Sequence, residues 1–443
     1  MTFSIRATVM QTPDPSTLEV RRDIVITVDD AGIIASIDPA SELLSDTTPP
    51  GIPTVTLESG AVLIPGLIDT HLHAPQWPQL GTGLDLPLER WLFDNTFPLE
   101  ARLTDPEFAS VVWPAMVSTL LAHGTTTAVY YATIDVETTT MLAAACAAAG
   151  QRAFVGRVGM DHPDGTPGWY RDASAAAGVA ASQASIDAID ALGSPLVAPI
   201  ITPRFAPACT DELLRGLGEL AAATGVRVQT HCSESDWEHG YAFERFGCSD
   251  TEALDRFGLL ADHTVLAHGD HLGDQDLATL IARGAGVAHC PLSNAYFANA
   301  VFPARRALDA GLRLGLGTDV AGGAQPGLLS QCADAVTMSR LLDEGVDARL
   351  RPDERGVAGS RISIVEAFWM ATAGGAELLG IPCGVLEVGR SFDAVAVSTQ
   401  RPGSALRVWD EIDTDERVFE KIVRLASPAD ITDVWVAGRR VAG

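Results

Sequence analysis

The chain has 443 residues, 47% of them hydrophobic, and sets 30 basic side chains against 57 acidic ones for a formal charge of −27. That much apolar material fills a core larger than one small domain needs, and so acidic a balance argues against nucleic acid or an anionic membrane as a partner. The seven cysteines are scattered without a C-x-x-C pair, which speaks against a disulfide framework and for a reducing cytoplasm.

The opening stretch, MTFSIRATVM, has no basic head followed by an apolar segment, and no apolar run reaches the ~18 residues that spanning a bilayer takes. A soluble, cytoplasmic protein is expected. Residues 1–62 alternate apolar and polar positions around a DDAG turn, as short strands do. Residues 383–443 repeat that texture in SFDAVAVST and ITDVWVAGRRVAG. Together the two ends are expected to build one small β-sandwich domain.

Residues 63–382 read differently. Eight short apolar or β-branched runs alternate with longer alanine- and leucine-rich helical segments: AVLIPGLIDTHLH, TTTAVYYA, RAFVGRVGM, PLVAPIITPR, VRVQTHCSE, TVLAHG, GVAHCP and LRLGLGTD. Eight β-α units predict an α/β fold of the (β/α)8 TIM-barrel type. No G-x-G-x-x-G follows a strand. The sole lysine, Lys421, lies far from every motif, which removes Schiff-base, Walker-type and carbamylated lysines from consideration.

Active groups of such a barrel collect where strands end. The first run ends in His71-Leu72-His73, and strand alternation points both histidines to one side. The fifth ends in His231 with Glu234 three residues on, the sixth in His268, the eighth in Asp319. A single histidine at a strand end is ordinarily a hydrogen-bonded structural residue; the coincidence of four, with two carboxylates, reverses that reading. Three imidazoles and a carboxylate suit Zn2+, with Fe2+ as the other ion such donors accept. An ion there lowers the pKa of a bound water toward neutrality. Glu234 is then the spare proton carrier, and His268 either ligates or orients the nucleophile. His123 belongs at a helix end, His289 at the mouth or in packing, and His162, His239, His263 and His271 in loops. Cys232 and Cys290 lack a convincing base and are weak candidates for a thiol nucleophile.

The motifs PGLIDTHLH, HCSE, LAHG, AHCPLSN and GLGTDVAGG, in that order, resemble the amidohydrolase superfamily across nearly the whole chain. The missing fourth-strand lysine is similar to its single-metal aminohydrolase branch. THLHAPQW, DLPLERWLFDNTFPLEARL and ITPRF resemble guanine deaminases more narrowly. Carried over, that resemblance implies His71, His73, His231 and Asp319 as ligands of one zinc per subunit. It implies Glu234 as proton shuttle, His268 holding the hydroxide, and Gln76 and Arg204 reading the base. The expected reaction is hydrolysis of guanine to xanthine and ammonia by metal-hydroxide attack on C2, in a homodimer that takes a small-molecule substrate. Trp77, Trp91, Phe97 and Phe205 are candidates for an apolar wall against the ring, and residues 81–102 for a lid. Three segments depart from the pattern: SDWEHGYAFERFGCSD, AYFANAVF and AGGAQPG. They keep another aminated heterocycle open: 8-oxoguanine, a pterin or an s-triazine. A non-catalytic barrel is disfavoured because every expected ligand is present. The cytidine-deaminase type of zinc site is disfavoured because neither H-x-E nor P-C-x-x-C occurs.

Overall fold

A computed structural model of the chain describes residues 2–43, 53–58 and 60–443. All eight expected runs supply barrel strands: Leu67–His73, Thr125–Tyr131, Arg152–Gly156, Val197–Pro199, Gln229–Cys232, Val265–His268, Gly286–His289 and Arg313–Leu316. Every neighbouring pair is parallel, and the last strand returns to the first through Leu316 and Asp69. The ring closes between the fourth and fifth strands at the Ile201–Val228 bridge. It is a (β/α)8 barrel.

The helices between strands start and stop on chemistry written in the sequence. Asp135 accepts a hydrogen bond from the Thr138 amide at 2.8 Å to open the helix Val136–Ala149. Gly150, left-handed at φ 79°, closes it. Thr210 and Ser235 cap the helices Asp211–Thr224 and Asp236–Phe246 in the same way.

Strands from both ends of the chain form a second, mixed sheet. Its order is Arg439–Ala442, Ile431–Val436, Ala394–Ser398, Ala61–Pro65, Phe3–Gln11, Glu19–Val28 and Ile34–Pro39, with Thr54–Thr56 also pairing with Phe3–Gln11. Period-two alternation divides its side chains between two cores. Leu63, Ala394 and Ala396 join Ile5, Ile26 and Trp435 in a cluster of the sheet's own. Val62, Ile64, Val395 and Val397 face the other way, into the main barrel cluster.

One boundary differs from the sequence reading. AVLIPGLIDTHLH is two strands, so the division at 62/63 runs through Ala61–Pro65, which pairs along its whole length with Ala394–Ser398. The change of sheet comes at Gly66. A Cβ there would stand 2.2 Å from the Thr126 hydroxyl oxygen, so only glycine lets the chain pass. Both strands are buried on both faces, and periodicity alone does not separate them.

The sheet is fastened to the bottom of the barrel by an ion pair. Arg152, at the start of the third strand, reaches Asp393 at 3.2 Å and the Ser391 hydroxyl at 3.1 Å. Asp393 is fully buried and also accepts the Ala437 amide at 2.9 Å. Replacing one partner of such a pair leaves a buried charge alone, at a cost of about 3–5 kcal/mol. Asp393→Ala and Arg152→Met are each expected to lower the urea midpoint accordingly, because each leaves the other charge of the pair unpartnered.

Candidate active site

The C-terminal ends of the strands carry the expected side chains into one buried cluster. His71 and His73 leave the first strand together, and their rings lie 5.0 Å apart. The His71 Nε2 is 3.0 Å from Asp319 Oδ1, and the His73 Nε2 is 3.5 Å from the same oxygen. The His73 and His231 Nε2 atoms stand 2.9 Å apart. His71, His73 and Asp319 form one potential metal-binding group, and His71, His231 and His268 form an overlapping one.

The surrounding groups set the tautomers. His231 Nδ1 donates to the Arg204 carbonyl at 2.6 Å, leaving its Nε2 lone pair toward the centre. His268 Nδ1 meets the Asn294 Oδ1 at 2.8 Å, while the Asn294 amide donates to Asp270 at 2.7 Å. That chain fixes the asparagine's orientation and leaves the His268 Nε2 as an acceptor. Ser293 donates to Asp319 Oδ2 at 2.5 Å and turns Oδ1 toward the histidines. Burial holds the His71, His73 and His231 imidazoles well below their ordinary pKa, so all three are neutral donors at pH 7.

These observations fit a divalent cation. Buried neutral imidazole nitrogens and a carboxylate oxygen, gathered within 4.8 Å of one another in each group, are the donor types that zinc takes. With its proton held on Nδ1, His231 turns a bare lone pair toward His73, a contact that a shared cation explains.

Backbone strain aims several of these groups. Ser233, His268 and Asp319 take left-handed conformations at φ 54°, 76° and 46°. Such conformations cost about 1–3 kcal/mol each in a non-glycine residue and persist where the surroundings enforce them. Here the surroundings are the strand ends: Asp319 donates its amide to the His71 carbonyl at 2.9 Å, and Ser233 is bonded through both its amide and hydroxyl to the buried Asp250.

Beside the cluster lies a pocket lined by His73, Gln76, Arg204, His231, Glu234 and Asp319 as its polar residues, with Leu88, Trp91, Leu92, Phe205 and Phe297 as its apolar wall. That mixture of a few convergent polar groups and aromatic rings suits a small planar molecule. Glu234 lies 3.8 Å from the His268 Nε2. Burial, aided by the Asp319 charge, pushes its carboxyl up to about 8, against the opposing pull of Arg204. A carboxyl poised near neutrality is suited to taking and returning a proton.

Most expected site residues therefore meet in one place. Trp77 does not: it packs with Leu80 and Leu99 against the cluster that includes Trp113 and Leu120, and Trp91 lines the cavity instead. The reason is the helical path of Ala74–Gln79, which turns Gln76 inward and the next side chain away. Phe97 lies under the Arg204 guanidinium, 4.9 Å from it, without lining the cavity. Of the divergent segments, AYFANAVF contributes Phe297, and the first places Trp237 against Phe205 at 5.8 Å. AGGAQPG contributes the Ala321 amide, which donates to Gln76 Oε1 at 3.2 Å. His289 packs against Phe302, and His239 lies on the helix Asp236–Phe246 instead of in a loop, stacked on His271. Burial pushes the Cys232 and Cys290 thiols well above their ordinary range, which disqualifies them as nucleophiles.

The sequence reading missed Ser293, Asn294, Asp270 and Glu100. The first two stand in the quoted AHCPLSN motif and Glu100 in the quoted loop; what hid their roles is that each acts on a distant side chain.

The amidohydrolase family profile matches residues 62–441. The chain belongs to the amidohydrolase family. It is 38% identical to a probable guanine deaminase of Schizosaccharomyces pombe over 86% of this chain and 71% of that one. Among solved structures it resembles the guanine deaminase from C. acetobutylicum with bound guanine in the active site, at 27% identity and a TM-score of 0.86, covering 99% and 100% of the two chains. It also resembles an adenosine deaminase from Xanthomonas campestris with bound zinc, at 26% identity and a TM-score of 0.82, covering 99% and 92%.

This amidohydrolase is thus an enzyme with a set of residues that could hold a metal ion, in the position its fold reserves for chemistry. Ser293→Ala is expected to weaken metal binding about 10–100-fold by freeing Asp319, as loss of an outer hydrogen bond to a ligand does. Titration against a chelator of known affinity measures the change.

Proposed function

We propose that this amidohydrolase is a zinc-dependent guanine deaminase that converts guanine and water to xanthine and ammonia. The observation that carries the reading is one pocket lined together by Gln76, Arg204, Glu234, His73, His231 and Asp319, with His71 joining the last three in the adjoining donor cluster. The similarity to guanine deaminases supports the substrate, and the zinc-bound adenosine deaminase supports the ion.

Bound by those four residues, zinc supplies Lewis acidity that brings the pKa of water near neutrality. Arg204 donates planar, paired N–H groups suited to the O6 and N7 acceptors of guanine, and Gln76 offers a donor and an acceptor to the ring edge. Phe205, Trp91 and Phe297, which line the pocket, offer apolar surface to the flat faces of the ring and exclude water there. Glu234 takes the proton from the attacking water and delivers it to the ring nitrogen beside C2, then assists departure of ammonia. His268 Nε2, kept as an acceptor by Asn294, holds the attacking oxygen in line. The products balance: water adds across the C2–N bond, the amino group leaves with a proton, and an oxo group remains.

Two features bear on the cell. Among the described residues no helix is long and apolar enough to cross a membrane. The seven cysteines are all free and buried, which fits a reducing compartment, and we place the enzyme in the cytoplasm. Its working unit in this proposal is a homodimer, a matter for light scattering.

Ammonia release is the direct test, on guanine, 8-oxoguanine, isoxanthopterin, adenine, cytosine and melamine at equal concentration. Guanine should lead by a wide margin; a lead by any other ring refutes the substrate while leaving the metal chemistry in place. Glu234→Gln is expected to keep its metal and lose about 10²–10⁴-fold in kcat, the usual size of a general acid–base contribution. Turnover at the parent rate would remove Glu234 as the shuttle.

A further inference from the structure

One buried carboxylate touches both residues assigned to read the substrate. Glu100 is on the short helix Phe97–Arg102 and is fully buried. Its Oε2 accepts from Arg204 Nη1 at 2.6 Å, and its Oε1 accepts from Arg204 Nη2 at 3.0 Å and from Gln76 Nε2 at 2.9 Å. Glu100 is not among the residues lining the cavity, whereas Gln76 and Arg204 are.

The geometry restricts both readers. A two-toothed carboxylate pair fixes the plane of the guanidinium, which rests on the Phe97 ring at 4.9 Å. Gln76 is held at both ends, because its amide nitrogen donates to Glu100 while its oxygen accepts the Ala321 amide at 3.2 Å. A flipped amide would set donor against donor at Ala321 and acceptor against acceptor at Glu100, so one orientation remains. What is left for a ligand is a fixed set: the outward N–H groups of Arg204, one N–H of Gln76 and the second lone pair of its oxygen.

We propose that Glu100 is a positioning residue for substrate specificity: through its three hydrogen bonds it aligns Gln76 and Arg204 as one rigid template for an oxo-bearing heterocycle. The inference rests on the reading that Arg204 and Gln76 contact the substrate ring. It assigns Glu100 an effect on recognition of the oxo group, not on the chemical step. A carboxylate that served only to pin its helix to the barrel would, when altered, disturb all ligands alike.

The test compares Glu100→Gln, Glu100→Asp and Arg204→Ala in the zinc-loaded enzyme. Two quantities are read: KM for guanine, and Ki for 2-aminopurine, which keeps the ring and the amino group but lacks the 6-oxo group. Metal content and thermal midpoint are recorded alongside. Glu100→Gln should raise KM for guanine at least tenfold while moving the 2-aminopurine Ki and kcat less than threefold, and Glu100→Asp, which keeps the charge, should recover part of the loss. If Glu100→Gln does not fold, the same split is read in Glu100→Asp. Parallel changes for both ligands, no change in either, or a loss confined to kcat overturns the inference. Arg204→Ala separates the two levels: no split in that variant defeats the reading of Arg204 itself. A split there with none in the Glu100 variants defeats only the role of Glu100.

Discussion

Everything at the mouth of this barrel depends on burying polar side chains that have no business in a protein interior unless something holds them. Four imidazoles and two carboxylates lie out of water within one cluster, and each unsatisfied polar atom there costs free energy. The structure meets that demand from outside the cluster: the Arg204 carbonyl for His231, Asn294 for His268, Ser293 for Asp319. What these partners leave free are the atoms aimed inward. His268 Nε2 has no hydrogen-bond partner among the described residues, and Glu234 lies 3.8 Å from it. The outer partners thus do more than steady the ligands, because they decide which atom of each ring is available.

The same logic governs Arg204 and Gln76. A lone buried guanidinium would be intolerable, so Arg204 arrives with Glu100, and Glu100 has a second oxygen valence that collects Gln76. One group thus satisfies a buried charge and fixes a buried amide. The strained backbones at Ser233, His268 and Asp319 belong to this picture too. Three parallel strands that ended without distortion would project their last side chains along the barrel wall, and the left-handed turn at each redirects them.

How much of this was legible beforehand follows from the range over which each feature acts. The barrel was legible because its strands and helices are local patterns, and the donors were legible because strand alternation puts His71 and His73 on one side and every other donor stands at a strand end. The break at Gly66 was not, since two adjoining buried strands share one apolar texture and the steric reason for the glycine is Thr126, sixty residues away. Trp77 was misplaced because a 3-10 turn has a different phase from a strand, and Trp91 took the wall position from a helix whose entry angle no local rule gives. Glu100 touches a residue 104 positions along the chain. Pairings of that span are fixed by the fold and leave no trace in a window of sequence.

The strand Ala61–Pro65 hydrogen-bonds on one side to Phe3–Gln11 and on the other to Ala394–Ser398. Its second neighbour is therefore made more than three hundred residues later, after every barrel strand has left the ribosome. Until then the nascent chain carries a sheet with an open apolar edge directly preceding the first barrel strand. Contacts of such sequence separation slow folding and lengthen the exposure of unpaired edges. The strand Ala394–Ser398, made after the whole barrel, is the one that seals it, so the order of synthesis sets the order in which this sheet closes.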